Sequence, residues 1–190
     1  MKIMRRLALP VLLISLAFAS MACTLFVGGP DYPADPVPVS AEAAQSMRDQ
    51  VKQAIESGVA GEPITFQFTE SQLTSYLAQK LAADQKPLMT EPKILLRNGQ
   101  MQVFGKIQRS VFLANVAIIL RVRIDEAGQP KIEVVSADFG PFPAPSGINS
   151  AISSLISEAY TGSVGPAATG FRLENVTIAD GIMTLTGQIK

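Results

Sequence analysis

The densest apolar run in the chain is Val111 to Ile124, VFLANVAIILRVRI, and its β-branched composition predicts a buried strand. Val116, Ile118, Leu120, Val122 and Ile124 fall on one face, because successive side chains of a strand alternate. On the other face Ala117 and Ile119 are apolar before Arg121 and Arg123 return it to water. One face therefore meets a core. Half of the other is covered too, either by the protein's own helices or by an apolar ligand.

The pattern before this strand changes period twice. Ser40 is placed to cap a helix in which Ala43, Met47, Val51, Ala54 and Ile55 recur at helical spacing, ending near Gly58. Ile64, Phe66 and Phe68 then alternate with Thr65 and Gln67 as a short strand. Thr69 and Gln72 make a capping box, with Phe68 placed to pack on Leu73 as a hydrophobic staple, so a second helix starts there. Leu73, Tyr76, Leu77 and Leu81 form its apolar stripe.

Two later segments resemble each other at an offset of about 80 residues. ILLRNGQMQVFGKI, from Ile94 to Ile107, aligns without gaps with VTIADGIMTLTGQI, from Val176 to Ile189. Each has an Asn-Gly or Asp-Gly pair between alternating runs, which predicts a hairpin whose turn needs positive φ at both central residues. A third hairpin is predicted from Val111–Ile124 through the DEAG turn into Lys131 to Phe139, making the sheet antiparallel. The proline-rich stretch Gly140 to Pro145 stops strand pairing, since proline has no amide donor. A further helix is predicted near Ser146, with Ile148, Ile152, Leu155, Ile156 and Tyr160 on one face, followed by a loop from Thr161 to Gly170.

The N-terminus follows a different logic. Met1 to Ala22 carries three positive charges and then an apolar run, Leu7 to Ala19, too short for the roughly 20 residues that span a bilayer as a helix. It reads as a signal peptide, so the chain is expected to be exported. Ser20-Met21-Ala22-Cys23 puts the only cysteine after small residues at the end of this run. That stretch resembles the lipobox of bacterial lipoproteins, which implies acylation of Cys23 and anchoring to the outer face of a membrane. Ser20 departs from the usual aliphatic residue, and Ala17-Phe18-Ala19 offers an ordinary signal-peptidase site that would leave the protein secreted. A lone cysteine outside the cell has no intramolecular disulfide partner, which favours lipidation. Cys23 to Val39, with prolines at 30, 33, 36 and 38, is expected to be an extended tether. At about 3.1 Å per residue it would hold the domain up to roughly 50 Å from the membrane. Ser40 to Lys190 is expected to fold as a single domain.

Composition narrows the chemistry. There is no histidine and no tryptophan, which excludes histidine general bases, serine-histidine triads and cysteine-histidine zinc sites. No nucleophile elbow, phosphate loop or calcium loop is present. Glu70, Asp125, Glu126, Asp138 and Asp180 fall at predicted caps and turns, where they satisfy backbone groups. Without the leader the chain has 13 basic and 16 acidic residues, a net charge of −3 with no basic run, which argues against nucleic acid as a partner. No catalytic residue, metal or cofactor is expected.

The order of helix, ITFQFTESQLTSYLAQKL, the NGQMQVFGKI hairpin, a long apolar strand, GPFPAP and a final DGIMTLTGQI hairpin resembles single-module bacterial relatives of the tubular lipid-binding (TULIP-like) superfamily. The resemblance covers Ser40 to Lys190. It implies an α+β fold in which a curved antiparallel sheet of hairpins wraps around one or two helices, with an apolar groove between them that holds a lipid. The residues it assigns to that groove are Val116, Ile118, Leu120 and Val122 from the sheet and Tyr76, Leu77, Leu81, Ile152 and Leu155 from the helices. The expected function is non-catalytic binding of a lipid or other apolar molecule. Burying roughly 300 Å² of acyl chain would contribute on the order of 7 kcal/mol before entropy losses. The alternative is an envelope scaffold that acts through a protein partner with no bound ligand. A filled core beside the central strand favours the scaffold, and a continuous groove favours the binder.

Overall fold

The computed structural model describes residues 24–59, 61–85, 87–124, 130–144 and 171–189. The expected signal peptide, Cys23, the helix expected after Ser146, its Ile152 and Leu155, and the loop to Gly170 lie outside them. The described residues form an α+β fold, with a strongly curled, half-barrel mixed sheet and two helices. In chain order these are β1 (Leu25–Phe26), α1 (Ala41–Ser57), β2 (Pro63–Thr69), α2 (Glu70–Ala83), β3 (Thr90–Arg97), β4 (Gln100–Arg109), β5 (Phe112–Ile124), β6 (Pro130–Asp138), β7 (Phe171–Ala179) and β8 (Ile182–Ile189).

Local signals set most of these boundaries. The Ser40 side chain accepts from the Ala43 amide at the start of α1, and Gly58 ends that helix. At α2 the capping box forms in both directions between Thr69 and Gln72. Asn98-Gly99 and Asp180-Gly181 each adopt positive φ at both turn residues, and they close the β3–β4 and β7–β8 hairpins. The acidic residues predicted at caps behave accordingly: Glu70 opens α2, and Asp138 accepts from the Gly140 amide.

The strands fall into two groups. β3, β4, β5 and β6 pair antiparallel, and β1 joins β5 in parallel; β2, β8 and β7 make a separate antiparallel set. The expectation of a purely antiparallel sheet is therefore corrected by β1. The two similar hairpins lie in different groups, which meet where the Gly181 amide donates to the Leu96 carbonyl. The inner face of the larger group carries Ile94, Leu96, Val103, Ile107, Val116, Ile118 and Leu120, all buried with Phe66, Phe68, Leu73 and Leu81 in one core cluster.

The helix α2 departs from its predicted stripe. Its most buried residues are Thr74 and Ser75, not Tyr76 and Leu77, which are half-buried. Thr74 Oγ1 accepts from the Ile94 amide and Glu70 Oε1 from the Leu96 amide, so α2 satisfies the outer edge of β3 with side chains. Such an edge would otherwise present unpaired donors for association with another chain. Ser75 Oγ accepts from the Ser40 amide and ties α2 to the start of α1.

Candidate functional site

From Ala114 onward, inner-face residues of β5 become more open along the strand. Ala114 and Val116 are fully buried, Ile118 and Leu120 are 2% and 6% exposed, and Val122 and Ile124 are only partly buried. β4 pairs with β5 only as far as Leu120, so the last four residues of β5 have β6 as their neighbour, with partly buried Ile132 opposite Val122. The apolar face thus continues past the tightly packed core to the end of the sheet.

The predicted groove residues divide accordingly. Val116, Ile118, Leu120 and Leu81 are brought together, and they are members of the packed core. Leu77 and Val122 pack against that core from partly exposed positions. Tyr76 stands apart, with the Arg48 guanidinium and the Lys80 ammonium 5.6 and 5.9 Å from its ring centre. Arg48 also donates to Gln79, so this cluster joins α1 to α2.

The second face of the sheet holds the feature that sequence reasoning missed. The proline-rich segment is extended as expected, yet it lies on the domain instead of standing away from it. The Leu25 and Val27 amides donate to the Val111 and Leu113 carbonyls, and the Asn115 amide donates to the Gly28 carbonyl. Asn115 Nδ2 then donates to the Pro30 carbonyl. Tyr32 crosses β4 to β3, donating its hydroxyl to the Glu91 carbonyl at 2.9 Å. Lys93 Nζ donates to the carbonyls of Pro33 at 2.5 Å and Asp35 at 2.8 Å, with the Tyr32 ring 4.6 Å away. Beyond it, Ser71 donates to the Pro38 carbonyl. Lys93 and Asn115 are in register with Phe104 and Lys106, opposite the inner-face residues Val103, Gly105 and Ile107. Where this face is crossed, the cover is therefore the N-terminal segment, neither a helix nor a ligand.

Gly29 permits the closest approach. With φ near 121°, a Cβ there would come 2.3 Å from the Asn115 carbonyl oxygen. Two signals pointed to this arrangement: a lone tyrosine among prolines, and Lys93 inside an apolar strand. Neither has a periodicity.

Burial raises the Tyr32 phenol above its ordinary value; the Glu91 charge acts in the same direction and Lys106 opposes both. The folded phenol therefore holds its proton more tightly than the unfolded one, whose value is about 10. Its contribution is complete below that value and is lost as pH rises through the higher folded value. Tyr32 should give a late phenolate absorbance step that is missing in Tyr32→Phe. Amide exchange at Val27 and Asn115 should quicken over the same alkaline range in the native chain by more than that of the protected amides in β4. A lost step lying at or below the ordinary phenol value would sink the assignment.

At its C-terminal end the segment skirts an open depression of about 600 Å³ whose walls include Val37, Arg97, Asp180 and the exposed Ile182. The Glu70–Arg97 ion pair lies on its rim. Among the described residues no cluster of three or more acidic or thiol side chains is placed to hold a metal ion. None of the described helices is long and apolar enough to cross a membrane. No protein-family model matches this sequence, and comparison with curated proteins finds no match.

Proposed function

We propose that this protein is a lipid-anchored, extracytoplasmic envelope protein without catalytic activity, which takes up a lipid or other apolar molecule at the open end of its curled sheet. The module is of the tubular lipid-binding kind, anchored through Cys23 on the outer face of a membrane. The observation that carries the binding reading is the gradient along β5. An apolar inner face continues from fully buried Val116 to partly open Val122 and Ile124, with Ile132 beside them. A face of this kind binds by shape and burial and needs no cofactor.

A second reading, a scaffold without ligand, is favoured by one observation: Val116, Ile118, Leu120 and Leu81 are already packed against protein. Native mass spectrometry of the full chain purified from membranes separates the two. The binder is expected to carry a stoichiometric lipid beyond any acyl groups on Cys23, and Val122→Asp is expected to lose it. A mass accounted for by the acylated chain alone, unchanged after incubation with phospholipid and neutral-lipid vesicles, selects the scaffold.

A further inference from the structure

Four large apolar side chains are exposed together at one corner of the sheet. Leu25 and Phe26 of β1 are 58% and 55% exposed, and Val111 and Phe112 at the β4–β5 turn are 46% and 42% exposed. Pairing holds them side by side, since Leu25 is in register with Phe112 and its amide donates to the Val111 carbonyl. Between this corner and the open end of β5, the inner-face residues Ala114 to Leu120 are buried, so this cluster is separate from the partly open apolar face at Val122 and Ile124. Contiguous bare apolar surface on a folded protein marks a place where something docks.

We propose that this corner inserts into the interfacial region of a lipid bilayer, so that the protein sits on the membrane with the β4–β5 turn pointing into it. The proposal rests on the membrane-anchored reading and adds an orientation and a contact surface to it. What commits the corner to a bilayer is where the preceding chain joins it. The leader, with its apolar run from Leu7 to Ala19 and Cys23, enters at Thr24, directly before Leu25. Two residues of extended chain span at most about 7 Å and three about 10 Å, so Cys23 is tethered within about those distances of the exposed Leu25 and Phe26.

The docked N-terminal segment removes the remaining slack. Hydrogen bonds from Leu25, Val27 and Asn115, followed by the Lys93–Tyr32 clasp, fix the first residues after the anchor to the body of the domain. The anchor therefore presents this particular corner to the lipid. A net charge of −3 without the leader gives no electrostatic attraction to anionic head groups, and insertion through apolar side chains needs none. Acyl chains bind membranes more firmly when a second signal accompanies them, and the four side chains supply one.

The test uses the full lipidated chain in vesicles of phosphatidylethanolamine and phosphatidylglycerol. Cysteines introduced one at a time by Phe112→Cys and Leu25→Cys, with the Cys23 thiol blocked by its acyl group, carry an environment-sensitive fluorophore, and Arg123→Cys, at the other end of β5, serves as the reference. The expected result is a blue shift at positions 112 and 25 with quenching by spin-labelled lipid, and neither effect at position 123. If the chain stays on the vesicles while all three probes report water, the corner is not inserted and the proposal falls, though the anchor stands. If the chain does not bind vesicles at all, the anchored reading falls and takes the proposal with it. A blue shift at position 112 that appears without vesicles and grows with protein concentration would assign the corner to a second copy of the chain and overturn the proposal.

Discussion

Truncating Phe68 to alanine is expected to destabilise the domain by about 3–5 kcal/mol, a large fraction of the stability of a domain this size. Phe68 is 3% exposed, and its ring lies nearly parallel to that of Phe66 with centroids 6.2 Å apart. It also immediately precedes the Thr69 cap of α2, within the same core cluster as Leu73. Its removal thus opens a cavity where β2 meets the start of α2, and the surrounding side chains are too closely held to collapse into it. Urea denaturation with matched slopes measures the loss. Gln67→Ala, one residue away on the exposed face, should change the midpoint by no more than about 0.5 kcal/mol. A Phe68 variant with a midpoint as small in its shift as that of Gln67→Ala would mean the core does not run through β2.

Replacing Lys93 with methionine should release the N-terminal segment while leaving the domain folded. Methionine fills the volume of the lysine stem, which is buried, but cannot donate to the Pro33 and Asp35 carbonyls or face the Tyr32 ring as a cation. Hydrogen bonds involving a charged donor contribute about 1.5–3 kcal/mol each, and a cation over an aromatic ring about 0.5–2 kcal/mol. Desolvation of the buried ammonium offsets part of this, so a net loss of about 3 kcal/mol is expected. The loss is local, because residues 24–39 are joined to the sheet by a short series of contacts. Amide exchange at Leu25, Val27 and Asn115 should therefore accelerate by about a hundredfold, each 1.4 kcal/mol being a factor of ten. Exchange in β4 and in the core half of β5 should stay slow. Unchanged exchange at those three amides would show that the ladder at Val111–Asn115 holds the segment without the clasp.

The parts of this fold that were legible in the sequence are those decided within a few residues. Ser40, Thr69 with Gln72, and the Asn98-Gly99 and Asp180-Gly181 turns each solve a backbone problem on the spot, so residue type alone reveals them. The inward face of β5 was legible because apolar residues recur at every second position from Val116 to Ile124, and buried positions alternate with half-buried ones from Leu113 to Leu120. By contrast, β1 is two residues long and carries no period, and its partner is chosen by an edge that β6 leaves uncovered before Ala117. Apart from Tyr32, the docking of residues 28–38 works through backbone carbonyls, which every sequence possesses. Thr74 and Ser75 were hidden for the opposite reason. They are polar and therefore read as exposed, although their hydroxyls are what make burial possible. For the candidate site, apolar character was legible at Val116, Ile118 and Leu120, but alternation records only that water is excluded. It does not record whether protein or ligand excludes it.

The separation in sequence between the N-terminal segment and its seat dictates an order of assembly. Asn115 holds Pro30 from 85 residues away, and Tyr32 reaches Glu91 across 59. The seat is composed of β3, β4, β5 and α2, so it does not exist until the chain has been made at least as far as Asn115 and those elements have closed on one another. The segment is consequently placed after those elements although it precedes them in the chain, when the long loops have already lost their entropy. A chain held by its N-terminus would begin folding at the end of a slack leash and shorten that leash once β3, β4 and β5 have closed, converting closure of the sheet into a fixed height and orientation.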